Sequence, residues 1–235
     1  MQSREGTASL HIPDGILDPT ACIAMFAVST CILAVAWWQV KNRHPRYFIP
    51  LIAVMSALLL VIQMVEFPVA GGGSTWHFMG GTAVTMVLGP WAAMISMTMT
   101  LGIQAAIGDG GLTSFGANTF NMAIIGALSF FIVKLALSRG YSTKKLAVGM
   151  FIAAFAANVG TALAVGVQIG MFPLVGNLGG VGLTVPSMLF WYVPTGLIEG
   201  LVSSALVVAL SKLGGVKLFG LEMCGQKNSD KNSGK

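Results

Sequence analysis

Three histidines, His11, His44 and His77, are the side chains of this sequence best suited to bind a transition-metal ion. Imidazole is the commonest nitrogen ligand for nickel, cobalt, copper and zinc in proteins. His44 stands between Arg43 and Arg46, and these basic neighbours indicate a solvated loop residue. His11 and His77 either cap helix ends at a membrane interface or bind a metal, and the residues alone leave both interpretations open.

Other side chains that could bind a metal have simpler explanations. Met94, Met97 and Met99 could offer thioethers to Cu(I), but they form no repeated pair on one helix face, so core packing is favoured. The three cysteines have neither CxxC nor CxC spacing, which argues against a zinc site and against a disulfide framework. Neither residue type predicts a site.

Two glutamates, Glu66 and Glu199, stand at the end of one apolar segment and inside another. A carboxylate within a membrane span is a candidate for function. Glu199, however, lies in a stripe of small residues formed by Gly196, Gly200 and Ser204, a spacing typical of close helix packing. This stripe predicts a seam within the bundle or with the helix of a partner subunit, and Glu199 is then a structural hydrogen-bond acceptor.

Several amide side chains occur within apolar segments and are too polar to face lipid. We expect them to point into the bundle; they are Gln63, Gln104, Asn118, Asn121, Asn158 and Gln168.

The sequence has none of the HExxH, GxSxG or GxxxxGK[ST] motifs of hydrolases and nucleotide-binding proteins. It therefore predicts no enzyme and no nucleotide bound by this chain. Any ATP-driven transport would need the ATPase of another subunit.

The composition indicates whether lipid or water surrounds the chain. Hydrophobic residues make up 55% of the sequence and charged residues 9%, where a soluble domain has about 25% charged residues. Such a surface suits lipid, so an all-α integral membrane protein is predicted. The net charge of +5 is concentrated in short loops and the tail, so topology explains it better than a nucleic-acid partner.

Apolar runs predict a bundle of about seven transmembrane helices. The segments are 20–40, 47–65, 76–88, 90–107, 116–138, 145–169 and 187–211. The third is short, at about 20 Å of helix against a hydrocarbon core of about 30 Å, and short glycine-flanked segments usually line a cavity. Gly89 and Pro90 make 76–107 either two spans or one helix kinked at the proline.

Charge orients this bundle. Seven spans place almost all the bases on one face; they are Lys41, Arg43, Arg46, Arg139, Lys144, Lys145, Lys212, Lys217, Lys227, Lys231 and Lys235. The positive-inside rule then puts the N-terminus outside and the C-terminus in the cytoplasm, with His11, His77 and the loop 108–111 on the outer side. The predicted organisation is a polar extension at 1–9 without a signal peptide, a transmembrane domain at 10–212 and a basic cytoplasmic tail at 213–235.

Five strings occur together in one order along the chain. They are HIPDG at 11–15, FPV at 67–69 followed by GGG and His77, LGPW at 88–91, GDGGLT at 108–113 and GANTFNM at 116–122. From residue 11 to about 211 the sequence resembles the substrate-capturing membrane subunit of cobalt/nickel energy-coupling factor (ECF) transporters, the CbiM/NikM family.

The resemblance implies a prokaryotic plasma-membrane protein that captures Co(II) or Ni(II) at the outer face. It also implies a transmembrane coupling subunit, two cytoplasmic ATPase subunits and a small accessory membrane subunit as partners, with a physiological link to cobalamin synthesis or nickel enzymes. Nitrogen donors accept both metals, so the choice between cobalt and nickel stays open.

In the family that the sequence resembles, the mature chain begins Met-His. The metal is held by the terminal amine, the histidine amide and imidazole, and a second histidine. These donors carry over to Leu10, His11 and His77. This sequence departs from that pattern, because position 10 is leucine and nine residues precede it.

Two hypotheses account for the departure at Leu10. Either Leu10 is the true start, read as methionine from a leucine-type initiation codon, or residues 1–9 are genuine and are clipped or leave the site to be completed by other donors. The first is favoured because the nine residues have no discernible structural purpose.

Asp109, Asn118 and Asn121 are predicted either to orient the histidines and hold the N-terminal segment, or to cap helix ends. Two other functions compete with metal capture for an importer. One is a stand-alone secondary carrier or channel, and the other is an intramembrane metallohydrolase built on His11, His77 and Glu66.

Overall fold

The computed structural model describes residues 10–45, 48–68, 75–174, 176, 179–213 and 218–223. In chain order its elements are α1 (Pro19–Arg43), α2 (Phe48–Gln63), β1 (Phe67–Pro68), β2 (Thr75–Trp76), α3 (Gly81–Leu88), α4 (Pro90–Ile107), α5 (Phe115–Asn118), a π-helical segment (Thr119–Ile124), α6 (Ile125–Leu137), α7 (Thr143–Met171), α8 (Val181–Lys212) and α9 (Phe219–Met223).

The fold is nearly all helical, which confirms the predicted all-α membrane protein. Within the described ranges, five helices are long and apolar enough to cross a membrane: α1, α4, the continuous helix Phe115–Leu137, α7 and α8. α2 has 16 residues, or about 24 Å of helix. Each of the seven predicted segments contains a helix.

Two predicted boundaries are wrong. The third helix begins at Gly81 rather than at 76, because Thr75 and Trp76 pair with Pro68 and Phe67 in a two-residue antiparallel ribbon. α8 begins at Val181 rather than at 187 and continues through Pro186 and Pro194. Gly89, at φ 81° and ψ 164°, separates α3 from α4, so 76–107 is not a single kinked helix.

The helices alternate in direction between two ends of the molecule. At the first, which we call the loop end, Leu17 bridges to Pro173 and Asp18 donates its backbone N–H to the Phe172 carbonyl at 2.9 Å. The loop between α4 and α5 also lies there, since the Gly111 N–H donates to the Ile12 carbonyl at 3.0 Å. The loop end therefore gathers 10–18, the end of α4 and the end of α7.

The opposite end, which we call the basic end, contains the end of α1, the start of α2 and α9. His44 stacks on Phe48 with ring centroids 4.2 Å apart, and Phe48 meets Phe219 edge-on at 4.8 Å. His44 is therefore half-buried against aromatic rings, and its prediction as a solvated loop residue is wrong. The described bases of this end are Lys41, Arg43, Lys134, Arg139, Lys144, Lys145 and Lys212.

Helices α7 and α8 form the most extensive seam of the bundle, and the small-residue stripe lies in it. A Cβ at Gly200 would lie 2.8 Å from Cδ2 of Phe151, and the Ser204 hydroxyl donates to the Ala147 carbonyl at 2.8 Å. A Cβ at Gly196 would lie 3.2 Å from the Phe155 ring. The alternative that Gly196, Gly200 and Ser204 dock the helix of a partner subunit is thus corrected, because α7 of the same chain already fills this face.

Three predicted features fall on residues outside the described ranges: the extension at 1–9, the glycines at 71–73 and most of the tail after 213. The part of the tail that is described includes α9, which packs on α3. A side chain at Gly220 would collide with the Thr85 carbonyl, so the backbones of the two helices are in direct contact.

Candidate metal site

Two non-helical segments bring His11 and His77 together inside the loop end. The N-terminal segment, residues 10–17, enters the bundle so that Leu10 and His11 are 1% and 2% exposed. His77 lies four residues before the first residue of α3 and is 6% exposed. The two imidazole rings lie with centroids 4.9 Å apart and planes inclined at 56°, a separation at which one ion can contact both rings.

Asn118 holds the N-terminal segment as a neighbouring strand would. Its Oδ1 accepts the Ile12 N–H at 2.8 Å, and its Nδ2 donates to the Ile12 carbonyl at 3.0 Å. The Ser114 hydroxyl donates to the same carbonyl at 2.5 Å. The backbone of the residue after His11 is therefore fully hydrogen-bonded by α5 and the loop before it.

The glycine-rich loop wraps closely around this segment. Gly110 has φ +103°, a backbone conformation that favours glycine, and a Cβ there would lie 3.5 Å from Cβ of His11. A Cβ at Gly111 would lie 2.6 Å from the backbone nitrogen of Asp14. Glycine at 111 thus permits a contact that any side chain would obstruct.

Asp14 ties the outer part of the N-terminal segment to the same loop. Its carboxylate accepts the Thr113 N–H at 2.7 Å and the Leu112 N–H at 3.1 Å. Partial burial alone would raise the pKa of Asp14, but the hydrogen bonds from Thr113 and its neighbours outweigh it and lower the pKa below its usual range.

Both histidines have their Nδ1 atoms engaged in a way that leaves Nε2 as the lone-pair atom of a neutral ring. Nδ1 of His11 lies 3.3 Å from Oδ1 of Asp109, whose other oxygen accepts from Nε2 of Gln104 at 3.2 Å. Nδ1 of His77 lies 3.2 Å from the Phe78 carbonyl. A carboxylate or carbonyl oxygen only accepts, so Nδ1 is the donor in each case.

The segment that contains His77 is anchored from the bundle interior. Glu199, 2% exposed, accepts the Met79 and Gly80 N–H groups at 2.7 Å each. Gln63, fully buried, donates from Nε2 to the Met79 carbonyl at 2.8 Å. The role of Glu199 as a structural acceptor is confirmed, and its partner is the backbone beside His77.

The predicted inward orientation of the amides is confirmed for Gln63, Gln104, Asn118, Asn121 and Asn158, which are all buried. Asn121 does not use its side chain on either histidine. It pairs with Gln168 through two amide hydrogen bonds of 2.8 Å, joining the π-helical segment to α7. Gln104 and Ser114 were not singled out as site residues; only the polarity of Gln104 signalled its place.

Among the residues that the structure describes, no three or more His, Cys, Asp or Glu side chains are grouped to hold a metal. The trio His11, His77 and Glu66 required by the metallohydrolase alternative is therefore not assembled there. In a metal site built on these two imidazoles, backbone or terminal nitrogen, or water, would supply the remaining donors.

Known proteins resemble this chain in sequence and in fold. Residues 11–214 match the model of the CbiM family, described as "Cobalt uptake substrate-specific transmembrane region". A "Probable fused nickel transport protein LarMN" from Lactiplantibacillus plantarum is 32% identical over 195 residues, 77% of this chain and 57% of that protein. The chain thus spans a little over half the length of this relative.

Two solved structures resemble the fold. The crystal structure of a truncated transition metal transporter is 35% identical with a TM-score of 0.74, covering 86% of this chain and 98% of that chain. The S-component for biotin from an ECF-type ABC transporter has a TM-score of 0.50 at 20% identity, covering 74% of this chain and 95% of that chain, and this likeness shows the fold alone.

Proposed function

The chain belongs to the CbiM family, and on that premise we propose that it captures Co(II) or Ni(II) at the outer face of a prokaryotic plasma membrane for import by partner subunits. The observation that carries the proposal is the buried pair His11 and His77, with rings 4.9 Å apart. The family is a transporter component and not an enzyme.

The orientation rests on charge. The positive-inside rule puts the basic end in the cytoplasm. The loop end, with Asp14, Asp18 and Asp109, then faces outward together with both histidines. Metal arriving from outside would meet the negative end of the molecule first.

The proposed donor set is His11, His77 and two main-chain nitrogens, the amide of His11 and the nitrogen of residue 10. Supporting this set is the shortage of side-chain donors among the described residues. An amine, a deprotonated amide and two imidazoles make a square plane suited to Ni(II) and low-spin Co(II). Binding would release protons and weaken as the pH falls.

The proposed partners are a transmembrane coupling subunit, two cytoplasmic ATPase subunits and a small accessory membrane subunit. Likeness in fold to an ECF S-component and a sequence without a P-loop support an external source of energy. The relative from Lactiplantibacillus plantarum is described as a fused protein and is longer than the matched region, which supports an accessory subunit as a partner. Of the five long helices, α1 is the least buried, because only 17% of its most apolar stretch is buried within the chain. It therefore leaves the most surface for lipid or a partner.

The test is the metal content of the purified chain by mass spectrometry. The 235-residue chain is compared with a form whose initiator methionine replaces Leu10, each also as His77→Ala, with His44→Ala as the matched control. Near-stoichiometric Ni(II) or Co(II) in the short form, lost in His77→Ala and kept in His44→Ala, is expected. No metal in either length would overturn the proposal, and uptake by the chain alone in liposomes would favour a stand-alone carrier.

A further inference from the structure

The peptide groups on both sides of Met79 are held by side chains from two different helices. The Met79 and Gly80 N–H groups donate to the two oxygens of Glu199, on α8, at 2.7 Å each. The Met79 carbonyl accepts from Gln63, the last residue of α2, at 2.8 Å. Residue 79 is therefore fixed relative to α2 and α8, two residues after His77.

Glu199 also provides hydrogen-bond acceptors at the N-terminal end of α3. The N-cap position of α3 is Gly80, which has no side chain to accept the free N–H groups of the first turn. The Glu199 carboxylate, from another helix, accepts the N–H of Gly80 itself and of Met79 before it, and at this end of α3 the positive end of the helix dipole favours a negative charge. A carboxylate that is 2% exposed is costly unless hydrogen-bonded, so its two short bonds indicate a fixed geometry.

The same face of α8 also reaches the other histidine segment. Tyr192 is buried and hydrogen-bonded to the backbone of Leu10. Tyr192 and Glu199 are seven residues apart, which puts them on one face of the helix about 10.5 Å apart along its axis. One helix thus contacts the residue before His11 and the residues after His77.

From these contacts we infer that Glu199, assisted by Gln63, is a positioning residue that sets the His77 ring against the His11 ring and so makes the metal site selective. The inference rests on the proposed function. Only Phe78 separates His77 from the held residue Met79, so freeing Met79 lets the ring move. Metal sites need their donors within about 0.5 Å and 10–20° of the productive geometry.

Selectivity follows from coordination geometry. A fixed pair of imidazoles that shares a plane with main-chain nitrogens suits ions that accept square-planar coordination, such as Ni(II) and Cu(II), whereas Zn(II) prefers a tetrahedron. A mobile His77 ring can adapt to either arrangement. Releasing it should weaken Ni(II) binding more than Zn(II) binding.

The experiment uses whichever of the two chain lengths binds metal. Its affinities for Ni(II) and Zn(II) are measured by competition with a chelator and compared with those of the Glu199→Gln and Gln63→Met variants. Ser203→Ala is the control, one turn further along α8 and also buried. Glu199→Gln is expected to lower Ni(II) affinity about 10–100-fold, as loss of an outer-shell contact does, and to lower the Ni(II)/Zn(II) affinity ratio. Gln63→Met should shift both quantities in the same direction, and Ser203→Ala should shift neither.

A second readout separates positioning from stability. The Cu(II) electron paramagnetic resonance spectrum reports how many nitrogens lie in the ligand plane, and Glu199→Gln is expected to change it at saturating Cu(II). An unchanged spectrum and affinity ratio in both variants would overturn the inference while leaving metal capture intact. If the unsubstituted chain bound no metal, the proposed function would fail first. If Glu199→Gln does not fold, the affinity ratio and the spectrum of Gln63→Met test the inference.

Discussion

The two histidine segments are both non-helical and each buries its histidine, but they are held by different chemistry. Beside His11, the Ile12 backbone is held by neutral groups, from Asn118, Ser114 and the loop before α5, and the carboxylate of this segment, Asp14, lies at its exposed outer part. The His77 segment is held by a carboxylate and an amide, Glu199 and Gln63, from the interior of the bundle.

This difference indicates which segment can be released. Asp14, in the outer part of the N-terminal segment, is exposed, so water can replace its hydrogen bonds at the loop end. Removing the His77 segment would leave a buried carboxylate without donors, which costs far more than losing neutral hydrogen bonds. We therefore expect metal exchange to involve movement of residues 10–17 while His77 stays in place.

The largest expected effect is that of Glu199→Leu, which tests the fixed side of this comparison. Two buried N–H groups, of Met79 and Gly80, would lose their acceptor, at about 1–3 kcal/mol each. Thermal unfolding in detergent should show a decrease in stability of about 2–6 kcal/mol. Ser203→Ala on the same helix should change it by far less. A Glu199→Leu chain as stable as the parent would mean that the His77 segment is not anchored by α8.

Gly111→Ala tests the mobile side. The added methyl group would lie 2.6 Å from the Asp14 nitrogen, and overpacking of this kind typically costs about 1–3 kcal/mol. Here the strain should be relieved by undocking of residues 10–17 rather than by global unfolding. Hydrogen exchange of the Ile12 amide should accelerate while that of Met79 does not. Equal acceleration at both amides would contradict the comparison.

A third prediction concerns Asn118→Leu. It removes the acceptor of the Ile12 N–H, but the Ile12 carbonyl keeps the donors Gly111 and Ser114. With one group left unpaired, we expect the free energy of unfolding to fall by about 1–3 kcal/mol. We also expect metal to dissociate several-fold faster in stopped-flow exchange with a chelator. Asn121→Leu, in the same helix but paired with Gln168, is the control, and an equal acceleration there would refute a specific role for Asn118.

The smallest effect should come from pH at Asp14. The pKa of this carboxyl is lowered in the folded chain, so it contributes stability at pH values above the unfolded pKa of about 3.9. That contribution is lost as the pH falls through the lower folded value. Protease accessibility of residues 10–17 should be flat above about pH 5 and rise below about pH 4. Asp14→Asn should remove this rise, and persistence of the rise would assign it to another group.

Sequence alone supplied the helical segments because apolar runs report directly on lipid burial. It also supplied His11 and His77 by residue type and by family resemblance. It could not supply the start of α3, because Thr75 and Trp76 are as compatible with a helix as with the ribbon that they form with residues 67–68. Local patterns do not encode pairing across a loop.

The partners of the buried carboxylate were equally beyond the sequence. Glu199 and Met79 are 120 residues apart, and only the polarity of Glu199 in an apolar helix indicated that some donor must meet it. The stripe of Gly196, Gly200 and Ser204 has the same spacing whether the facing helix is α7 or a partner's. Only the fold decides which surface is already covered.

The shortness of α3 has a mechanical consequence. Its eight residues form a rod of about 12 Å; its N-cap, Gly80, donates to Glu199, and Thr85 near its other end lies against Gly220 in α9. Because so short a helix scarcely bends, its two ends are mechanically coupled, and an axial displacement beside His77 would also shift the contact of α3 with α9 at the basic end.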